Sequence, residues 1–271
     1  NATFYYRLES GADYGNSGGV YTVVNTDVIT AYQLLSDPES QTVDYFLTGP
    51  SGASDADALA KITSLVNIVE ERRDCMLFVS PRRGTIIGIS NANTITDNLI
   101  NFFNTLPSSN YVAFDSGYKY IYDKHNDVYR YIPCNGDVAG LCLQTTETSE
   151  PWFSPAGFQR GILRNAIKLA YTPNKTQRDR LYGARINPIV SFPGQGVVLF
   201  GDKTAQGFAS AFDRINVRRL FLTLERVIGG AAKAQLFEQN DEAQRSLFVN
   251  IVEPYLREVQ GRRGVTDFLV V

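Results

Sequence analysis

Histidine and cysteine are scarce in this chain, which limits the chemistry that it can perform. It contains one histidine, His125, and three cysteines among 271 residues. Any Ser-His-Asp or Cys-His catalytic arrangement would have to use His125, whose polar neighbours are typical of a solvated hairpin turn. Cys75, Cys134 and Cys142 are odd in number and lack a CxxC spacing. The sequence therefore favours buried reduced thiols over a disulfide framework or a zinc site, and synthesis in a reducing cytoplasm.

Long apolar runs are absent as well. None approaches the ~20 residues needed to cross a bilayer, and the initial residues NATFYYRLES have neither the basic nor the apolar part of a signal peptide. The composition, 44% hydrophobic and 20% charged, is that of an ordinary globular protein with one large domain or two modest ones. Because the chain lacks an initial methionine and ends on the apolar run DFLVV, we expect it to be part of a longer polypeptide, with something missing on each side.

Charge is unevenly distributed, although the net charge is only −2. Residues 1–60 carry eight acidic groups against the single basic Arg7, whereas residues 151–190 carry seven basic groups against the single acidic Asp179. Two solvated faces with helical salt bridges would explain this distribution. In a protein that stacks on copies of itself, the two regions would instead supply complementary faces. A nucleic-acid surface is a weaker interpretation, because the pI is about 5.6 and the basic region is short.

Residues 54–73 show the pattern of an amphipathic helix. Ser54 and Asp57 resemble a capping box, and the last turn is basic at Arg72 and Arg73. Apolar residues recur between them at helical spacing, at Leu59, Ile62, Val66 and Val69.

Short apolar runs on either side of this helix are typical of strands that are covered on both faces. They lie at residues 43–48 and 75–79. A second helix is predicted over residues 96–106, ending before Pro107, and a further strand over residues 111–114. This alternation predicts an α/β fold with a mixed sheet flanked by helices.

A ladder of tyrosines predicts a β-hairpin. Tyr118, Tyr120 and Tyr122 alternate with other residues, a polar turn follows at residues 123–127, and a second strand follows at residues 128–132. The tyrosines could form an aromatic platform for bases or sugars. The alternative is a set of ordinary cross-strand aromatic pairs.

The final part of the chain is predicted to contain two helices and a strand. Asp213 is a candidate cap for a helix that ends at Gly229 and Gly230, a second helix covers residues 240–261, and a strand covers residues 266–271. The apolar stripes of the two helices are Val217, Leu220, Phe221, Leu224 and Val227 in the first, and Leu247, Ile251, Tyr255 and Val259 in the second. We place a boundary near Gly207, between an α/β domain at 1–206 and a smaller α+β domain at 207–271.

One segment comes close to a nucleotide-binding motif. Residues 196–204, GVVLFGDKT, nearly match the phosphate-binding loop GxxxxGK[ST]. Asp202 occupies the position of the motif's lysine and moves Lys203 out of register, which places a carboxylate where phosphate would lie. A nucleotide- or phosphate-binding enzyme is therefore the alternative function to be tested against the structure.

Several separate blocks of the chain, in the same order, resemble the tail sheath proteins of contractile-tailed bacteriophages, in particular the T-even type. The likeness extends from about Asp74 to Glu238. The blocks are YKYIYDKHNDVYRYIP (118–133), DVAGLC (137–142), WFSPAGFQRG (152–161), QRDRLYGARINPI (177–189), VVLFGDKTA (197–205) and FDRINVRRLF (212–221).

The resemblance implies a structural subunit and not an enzyme, with no cofactor. Sheath subunits assemble as stacked rings in a helical sleeve around a tail tube, and contraction of the sleeve drives the tube through the host envelope. The expected partners are other copies of the chain, the tail tube protein, and the baseplate and tail terminator proteins, with no nucleic acid and no membrane insertion. The expected location is the virion tail, assembled in the host cytoplasm. The two domains would then be a sheath core and part of an inner, tube-proximal assembly domain.

Three groups of residues are candidate contact sites under this interpretation. For contacts between subunits they are the basic residues Arg160, Arg164, Arg178, Arg180 and Arg185. For the tail tube they are Arg257, Arg262 and Arg263, which would equally suit the carboxyl end of a helix. For strand addition by the terminal arms of neighbouring subunits, which the family uses, they are Phe268, Leu269, Val270 and Val271.

Overall fold

Helices and strands alternate along most of the chain, as the sequence predicts. The computed structural model describes residues 24–52, 54–233, 235–239 and 241–270, and the backbone of residues 16–17 and 20–21. The helices are α1 Asn25–Gln33, α2 Asp55–Arg72, α3 Ala92–Asn104, α4 Asn135–Thr148, α5 Lys175–Gly183, α6 Ile215–Lys233 and α7 Glu242–Gly261. The strands are β1 Asn16–Ser17, β2 Val20–Tyr21, β3 Tyr45–Leu47, β4 Met76–Val79, β5 Val112–Asp115, β6 Tyr118–Asp123, β7 Val128–Pro133, β8 Lys168–Leu169, β9 Ile186–Asn187, β10 Ile189–Phe192 and β11 Gly196–Leu199.

A parallel four-stranded sheet in the order β3-β4-β5-β9 forms the centre of the fold. Alternate residues of β4 point to opposite faces: Leu77 packs with α2 and α3, and Phe78 packs with α4. All four residues of β4 are buried, because helices cover the sheet on both faces. The three predicted strands and the mixed α/β class are confirmed, with smaller antiparallel sheets beside the parallel one.

The first two predicted helices form, with one boundary moved. Ser54 caps α2, since its hydroxyl oxygen accepts a hydrogen bond from the Asp57 N–H at 3.1 Å. The second helix, α3, begins four residues earlier than predicted. Asn91 caps it by accepting hydrogen bonds from the N–H groups of Asn93 and Thr94, a signal that the apolar spacing alone does not contain.

The tyrosine hairpin forms, and its rings pair across the two strands. Tyr120 lies opposite Tyr131 and Tyr122 opposite Tyr129, with ring centroids 4.7 and 5.0 Å apart. The geometry is that of ordinary cross-strand aromatic pairs. His125 lies exposed in the connecting turn, as the sequence predicts. Its backbone N–H donates a hydrogen bond to the Asp123 carboxylate.

The three cysteines are buried free thiols. Burial raises the pKa of the Cys75 thiol to about 12 and that of the Cys142 thiol to about 11. Neither is therefore a thiolate near neutral pH, and the predicted burial of the three thiols is confirmed.

Helix α6 differs from its prediction at both ends. Asp213 belongs to a short 3-10 turn, and the helix begins at Ile215. It also continues through Gly229 and Gly230 to Lys233. Glycine is unfavourable inside a helix by about 1 kcal/mol, but Ile228 and Ala231 on either side of the glycines pack against α7 and its surroundings, which offsets this cost.

Helix α7 forms, but only half of its predicted apolar stripe is packed. Val259 is buried and Tyr255 packs beside it, as predicted, whereas Leu247 and Ile251 are 49% and 48% exposed. Val252 and Leu256, which the prediction left out, complete the face that is buried against α6. Within the residues that the structure describes, no helix is long and apolar enough to cross a bilayer.

The strand predicted at residues 266–271 does not form over the described part of that range. Residues 265–270 have no ladder partner among the described residues; Val265, Phe268 and Val270 instead pack against the α6–α7 pair. An apolar run can be buried without forming a strand, and helices α6 and α7 bury this one. Val271 lies outside the described residues. The domain boundary near Gly207 stays a prediction.

A buried polar network closes the carboxyl edge of the parallel sheet. The Ser80 hydroxyl donates to Asp115 Oδ2 at 2.6 Å and accepts from the Asn135 N–H at 2.9 Å. The Asn135 side-chain amide donates to Thr48 Oγ1 at 2.9 Å and to the Gly49 carbonyl at 2.8 Å. In α/β enzymes this edge is the usual place for a ligand. Here the side chains that follow β3, β4 and β5 bond to one another instead.

The carboxyl group of Asp115 in this network has a pKa well above its ordinary range. Burial raises the pKa of its carboxyl group to about 7, although hydrogen bonds from Ser80 and from the Gly117 N–H oppose the shift. The folded chain therefore binds more protons at Asp115 than the unfolded chain does between about pH 4 and pH 7.

Stability should consequently fall as the pH rises through this range. Between pH 5 and pH 8 we expect the free energy of unfolding to decrease by on the order of 2 kcal/mol, measured by urea denaturation. Asp115→Asn, which has the same shape and cannot ionise, should remove most of this dependence, whereas Asp27→Asn at an exposed carboxylate should leave it unchanged. An unchanged slope in Asp115→Asn would contradict this assignment.

Candidate assembly surface

The basic region predicted at residues 151–190 folds onto the far edge of the parallel sheet. Strand β9 ends at Asn187, and the chain turns at Pro188 into the antiparallel hairpin of β10 and β11. The Asn187 side chain donates to the Phe114 and Lys203 carbonyls at 2.9 and 2.8 Å and accepts from the Lys203 N–H at 2.7 Å. Asn187 therefore fixes the loop after β11 to the sheet edge.

A surface groove of about 620 Å³ lies between this loop, helix α5 and the segment near Ser154. It is lined by Ser154, Ala156, Gly157, Lys175, Arg178, Asp179, Tyr182, Pro188, Phe200, Gly201 and Asp202. Its charged residues come from α5 and the loop after β11, and its apolar residues come from the chain on both sides of β10–β11.

Three phenylalanines form an exposed aromatic cluster beside the groove. The ring centroids of Phe158, Phe192 and Phe200 are 5.1, 5.3 and 5.8 Å apart, and Phe158 and Phe200 are 45% and 40% exposed. The Arg178 guanidinium lies over Phe192 and Phe200, at 5.5 and 5.7 Å from their centroids. The sequence analysis missed this cluster, because its members are 42 residues apart in sequence at most and meet only in the folded hairpin.

The five predicted interface arginines do not share one environment. Arg178 lines the groove, and Arg160 donates to the carbonyl of the groove residue Ser154 at 2.8 Å. Arg180 is paired with Asp97 of α3 at 2.5 Å, and Arg185 donates to the Ala205 carbonyl at 2.7 Å. The remaining residue, Arg164, is exposed. The structure thus brings two of the five to the groove, and their role in subunit contacts stays a prediction.

The acidic region is described only from residue 24 onward. Within residues 24–52 and 54–60, Asp44 pairs with Arg226 and Asp55 with Arg82, both at 2.5 Å. Asp27, Asp37 and Glu39 are exposed. The acidic residues before residue 24 lie outside the described part of the chain, so the complementarity of the two regions also stays a prediction.

Asp202 connects the parts of the groove. Its carboxylate accepts from the Ser154 hydroxyl at 2.9 Å and from the Tyr182 hydroxyl at 3.3 Å, and it pairs with Arg214 at 3.0 Å. Arg214 in turn donates to the Tyr182 hydroxyl. The Asp202 carboxylate, which breaks the match to the phosphate-loop motif, therefore joins three segments of the chain.

The nucleotide-binding alternative is not supported by the loop geometry. A phosphate loop presents free backbone N–H groups to the anion at the start of a helix. Here the N–H groups of Lys203, Thr204 and Ala205 already donate to Asn187, Asp213 and Val112. Strand β11 is also followed by a loop and a 3-10 turn instead of a helix.

The predicted tube-facing arginines lie at the carboxyl end of α7. Arg257 pairs with Glu253 at 2.7 Å, and Arg262 pairs with Glu150 at 2.5 Å and Glu258 at 2.7 Å. Arg263 is exposed, and no ion pair of the described residues includes it. Of the strand-addition candidates, Leu269 is 82% exposed, while Phe268 and Val270 pack on the α6–α7 pair.

Known proteins resemble this chain in both sequence and fold. The family model described as the phage tail sheath protein central domain matches residues 22–205. The tail sheath proteins of Vibrio phage KVP40 and Enterobacteria phage T4 are each 40% identical to the chain, over 98% and 94% of its length. These matches cover 42% and 40% of the two relatives, so the chain spans less than half of their length.

Two solved structures from the anti-feeding prophage share the fold. One is its helical sheath in the contracted state, with a TM-score of 0.67 and 18% identity over 88% of this chain and 59% of that one. The other is its baseplate, with a TM-score of 0.66 and 17% identity over 88% of this chain and 58% of that one. At this level of identity the likeness shows the fold alone.

The Asp202 contacts generate a stability prediction. Asp202→Asn removes the charge opposite Arg214, so we expect the free energy of unfolding to fall by about 1–3 kcal/mol. Asp179→Asn, in the same groove but exposed and without an ion pair, should change it by less than about 0.5 kcal/mol. Chemical denaturation of the two variants measures the difference, and equal stabilities would show that Asp202 does not hold the groove together.

Proposed function

The chain belongs to the phage tail sheath protein family, and from this premise we propose that it is part of a structural subunit of a contractile phage tail. The subunit polymerises as a helical sheath around the tail tube, and the sheath contracts to drive the tube through the host envelope. Its place is the tail of the virion. The observation that carries the proposal is the family match over residues 22–205 together with 40% identity to two tail sheath proteins.

The work of such a subunit is assembly and not catalysis. Family membership supports the prediction that the chain is not an enzyme. The carboxyl edge of the sheet, where α/β enzymes bind ligands, is filled by Ser80, Asp115 and Asn135. We therefore propose that the exposed groups of the chain serve to bind other proteins.

The partners that we propose are first of all other copies of the same protein. The related prophage structures are a helical sheath and a baseplate, which supports self-assembly and a baseplate contact for this chain as well. The tail tube and tail terminator proteins complete the proposed set. We assign Arg257, Arg262 and Arg263 to the tube, because all three are exposed at one end of α7.

A helical sheath needs contacts that do not close on themselves, so that one face of a subunit binds a different face of the next. The groove beside Phe158, Phe192 and Phe200 suits such a face, because an aromatic patch bordered by charged residues is typical of protein interfaces. Arg178 and Arg160 adjoin this groove. We propose that they orient the approaching subunit, and that Arg164, Arg180 and Arg185 make further contacts between subunits. Contraction would then exchange one set of contacts for another.

The terminal segment has a separate proposed role. Phe268, Leu269, Val270 and Val271 would meet the terminal arms of adjacent copies, which add strands to the assembly domain at 207–271. Within the part of the chain that the structure describes, residues 265–270 have no ladder partner, which is compatible with this role. Removing residues 266–271 from the full-length protein would test it by the loss of sheath polymers.

The assembly surface can be tested in the full-length protein that contains this chain. We expect the double variant Arg178→Glu and Phe200→Ser to reduce sheath polymer yield at least tenfold in negative-stain micrographs and sedimentation. The reason is that it reverses a charge in the groove and removes an exposed ring of the aromatic cluster. Both side chains are partly exposed, so the monomer should unfold within a few degrees of the parent.

Phe208→Ser provides the matched control. Phe208 is 70% exposed and lies outside the aromatic cluster, so its loss removes similar apolar surface without changing the groove. Normal polymer from the double variant, or an equal defect from Phe208→Ser, would refute the assignment of the groove.

A further inference from the structure

Within the described residues, one buried arginine lacks the counter-charge that the other two buried arginines have. The buried cationic residues of the described chain are Lys61, Arg72, Lys119, Arg218 and Arg219. Three of them pair with carboxylates within 2.9 Å: Arg72 with Asp74, Lys119 with Asp137 and Arg218 with Glu225. No ion pair of the described residues includes Lys61 or Arg219.

Lys61 and Arg219 differ in how burial without an ion pair affects their charge. Lys61 donates to the Thr48 and Pro50 carbonyls, and burial lowers the pKa of its ammonium group. Arginine does not deprotonate in proteins, so Arg219 keeps its charge although it is only 3% exposed. A buried charge without a counter-ion is costly.

Arg219 also has an unused hydrogen-bond donor. Its Nη2 donates to the Cys142 carbonyl at 2.6 Å and to Thr146 Oγ1 at 2.5 Å. Its Nη1 is buried and makes no hydrogen bond with the described residues. The guanidinium also lies beside the Tyr45 hydroxyl, whose pKa is raised by burial and lowered to a smaller degree by Arg219.

The Arg219 side chain lines a surface pocket of about 240 Å³. The pocket is bounded by β3, by the last turns of α4 and by one side of α6, and both Arg219 and Tyr45 line it. Its apolar lining residues are Leu143, Pro151, Leu222 and Val227. Two carboxylates also line the pocket, but they are already engaged: Asp44 pairs with Arg226 and Asp74 with Arg72.

We propose that this pocket binds one carboxylate group, which accepts hydrogen bonds from the Arg219 guanidinium and the Tyr45 hydroxyl. The two donors match the two oxygens of a carboxylate, and the apolar lining suits a short aliphatic stem. A phosphate dianion fits less well, because Asp44 and Asp74 line the same pocket and repel two negative charges about twice as strongly as the single charge of a carboxylate. The site does not depend on the proposed function.

Two sources could supply this group. One is an aspartate or glutamate side chain of a second copy of the chain, whose residues 24–60 carry six carboxylates and no arginine or lysine. The other is a free small carboxylic acid. The chemistry of recognition is the same for both, and the experiment distinguishes them.

Sodium propionate serves as the probe, compared with sodium chloride at equal ionic strength. Thermal unfolding of the 271-residue chain should respond to propionate more than to chloride. At ten times its Kd, propionate should shift the folding equilibrium about elevenfold towards the folded state. Backbone amide resonances of the residues that line the pocket should shift with the same Kd.

Substitutions locate the response. Arg219→Met replaces the charge with an apolar side chain of similar length and should abolish the propionate effect. Tyr45→Phe should weaken propionate binding several-fold, and it keeps the test decisive if Arg219→Met fails to fold. Tyr122→Phe, at a tyrosine that is 46% exposed on the hairpin, is the matched control and should bind as the parent does.

Sedimentation of the chain in sodium propionate and in sodium chloride identifies which of the two sources supplies the carboxylate. Self-association that propionate disperses supports a side chain of a second copy, whereas a monomer in both salts with a submillimolar Kd for propionate supports a free acid. The proposal is overturned if chloride acts as strongly as propionate. It is also overturned if the shifted resonances lie elsewhere, or if Tyr45→Phe binds propionate as tightly as Tyr122→Phe.

Discussion

The carboxyl edge of the parallel sheet contains buried polar groups that must be satisfied by the protein itself, and much of the remaining structure follows from how this is done. Thr48, Ser80 and Asp115 end three neighbouring strands, and all are at most 2% exposed. Asn135 reaches across them, and it is also the first residue of α4. An unpaired buried polar group would cost about 1–3 kcal/mol, so the network specifies where α4 starts and on which face of the sheet it packs.

Buried hydrogen bonds at the fourth strand of the sheet, β9, hold the loops of the surface groove in place in the same way. Strands β9 and β10 contain only two and four residues, and such short elements are not stable by themselves. Asn187 bonds β9 to both β5 and the loop after β11, and Asp202 bonds that loop to Ser154 and Arg214. Gly201 permits the close approach, since a Cβ there would lie 3.0 Å from Asn187 Oδ1. A segment rich in proline and glycine is thereby held as a defined surface.

Local signals predicted the parts of the fold that local interactions determine. The cap at Ser54, the continuous apolar run of β4 and the alternating tyrosines of the hairpin were sufficient, because each acts within a few residues. Half of the apolar stripe of α7 and the strand at residues 266–271 were predicted wrongly, because both depend on the position of α6. The predicted interface arginines show the same limit. A count of charges did not reveal that Arg180 is paired with Asp97, or that Arg178 lies over two phenylalanine rings.

The groove combines features that a contact between many copies requires. Burying an exposed phenylalanine side chain contributes up to about 2 kcal/mol, so the exposed parts of Phe158 and Phe200 supply only a moderate free energy in each copy. In a polymer this contribution recurs at every subunit, and each single contact can stay weak enough to be exchanged for another. The rings and Arg178 must keep their positions while they are exposed, because ordering them at each binding event would cancel the gain. Asn187 and Asp202 hold the supporting loop in place, so the buried polar groups of the sheet edge set the geometry of the exposed surface.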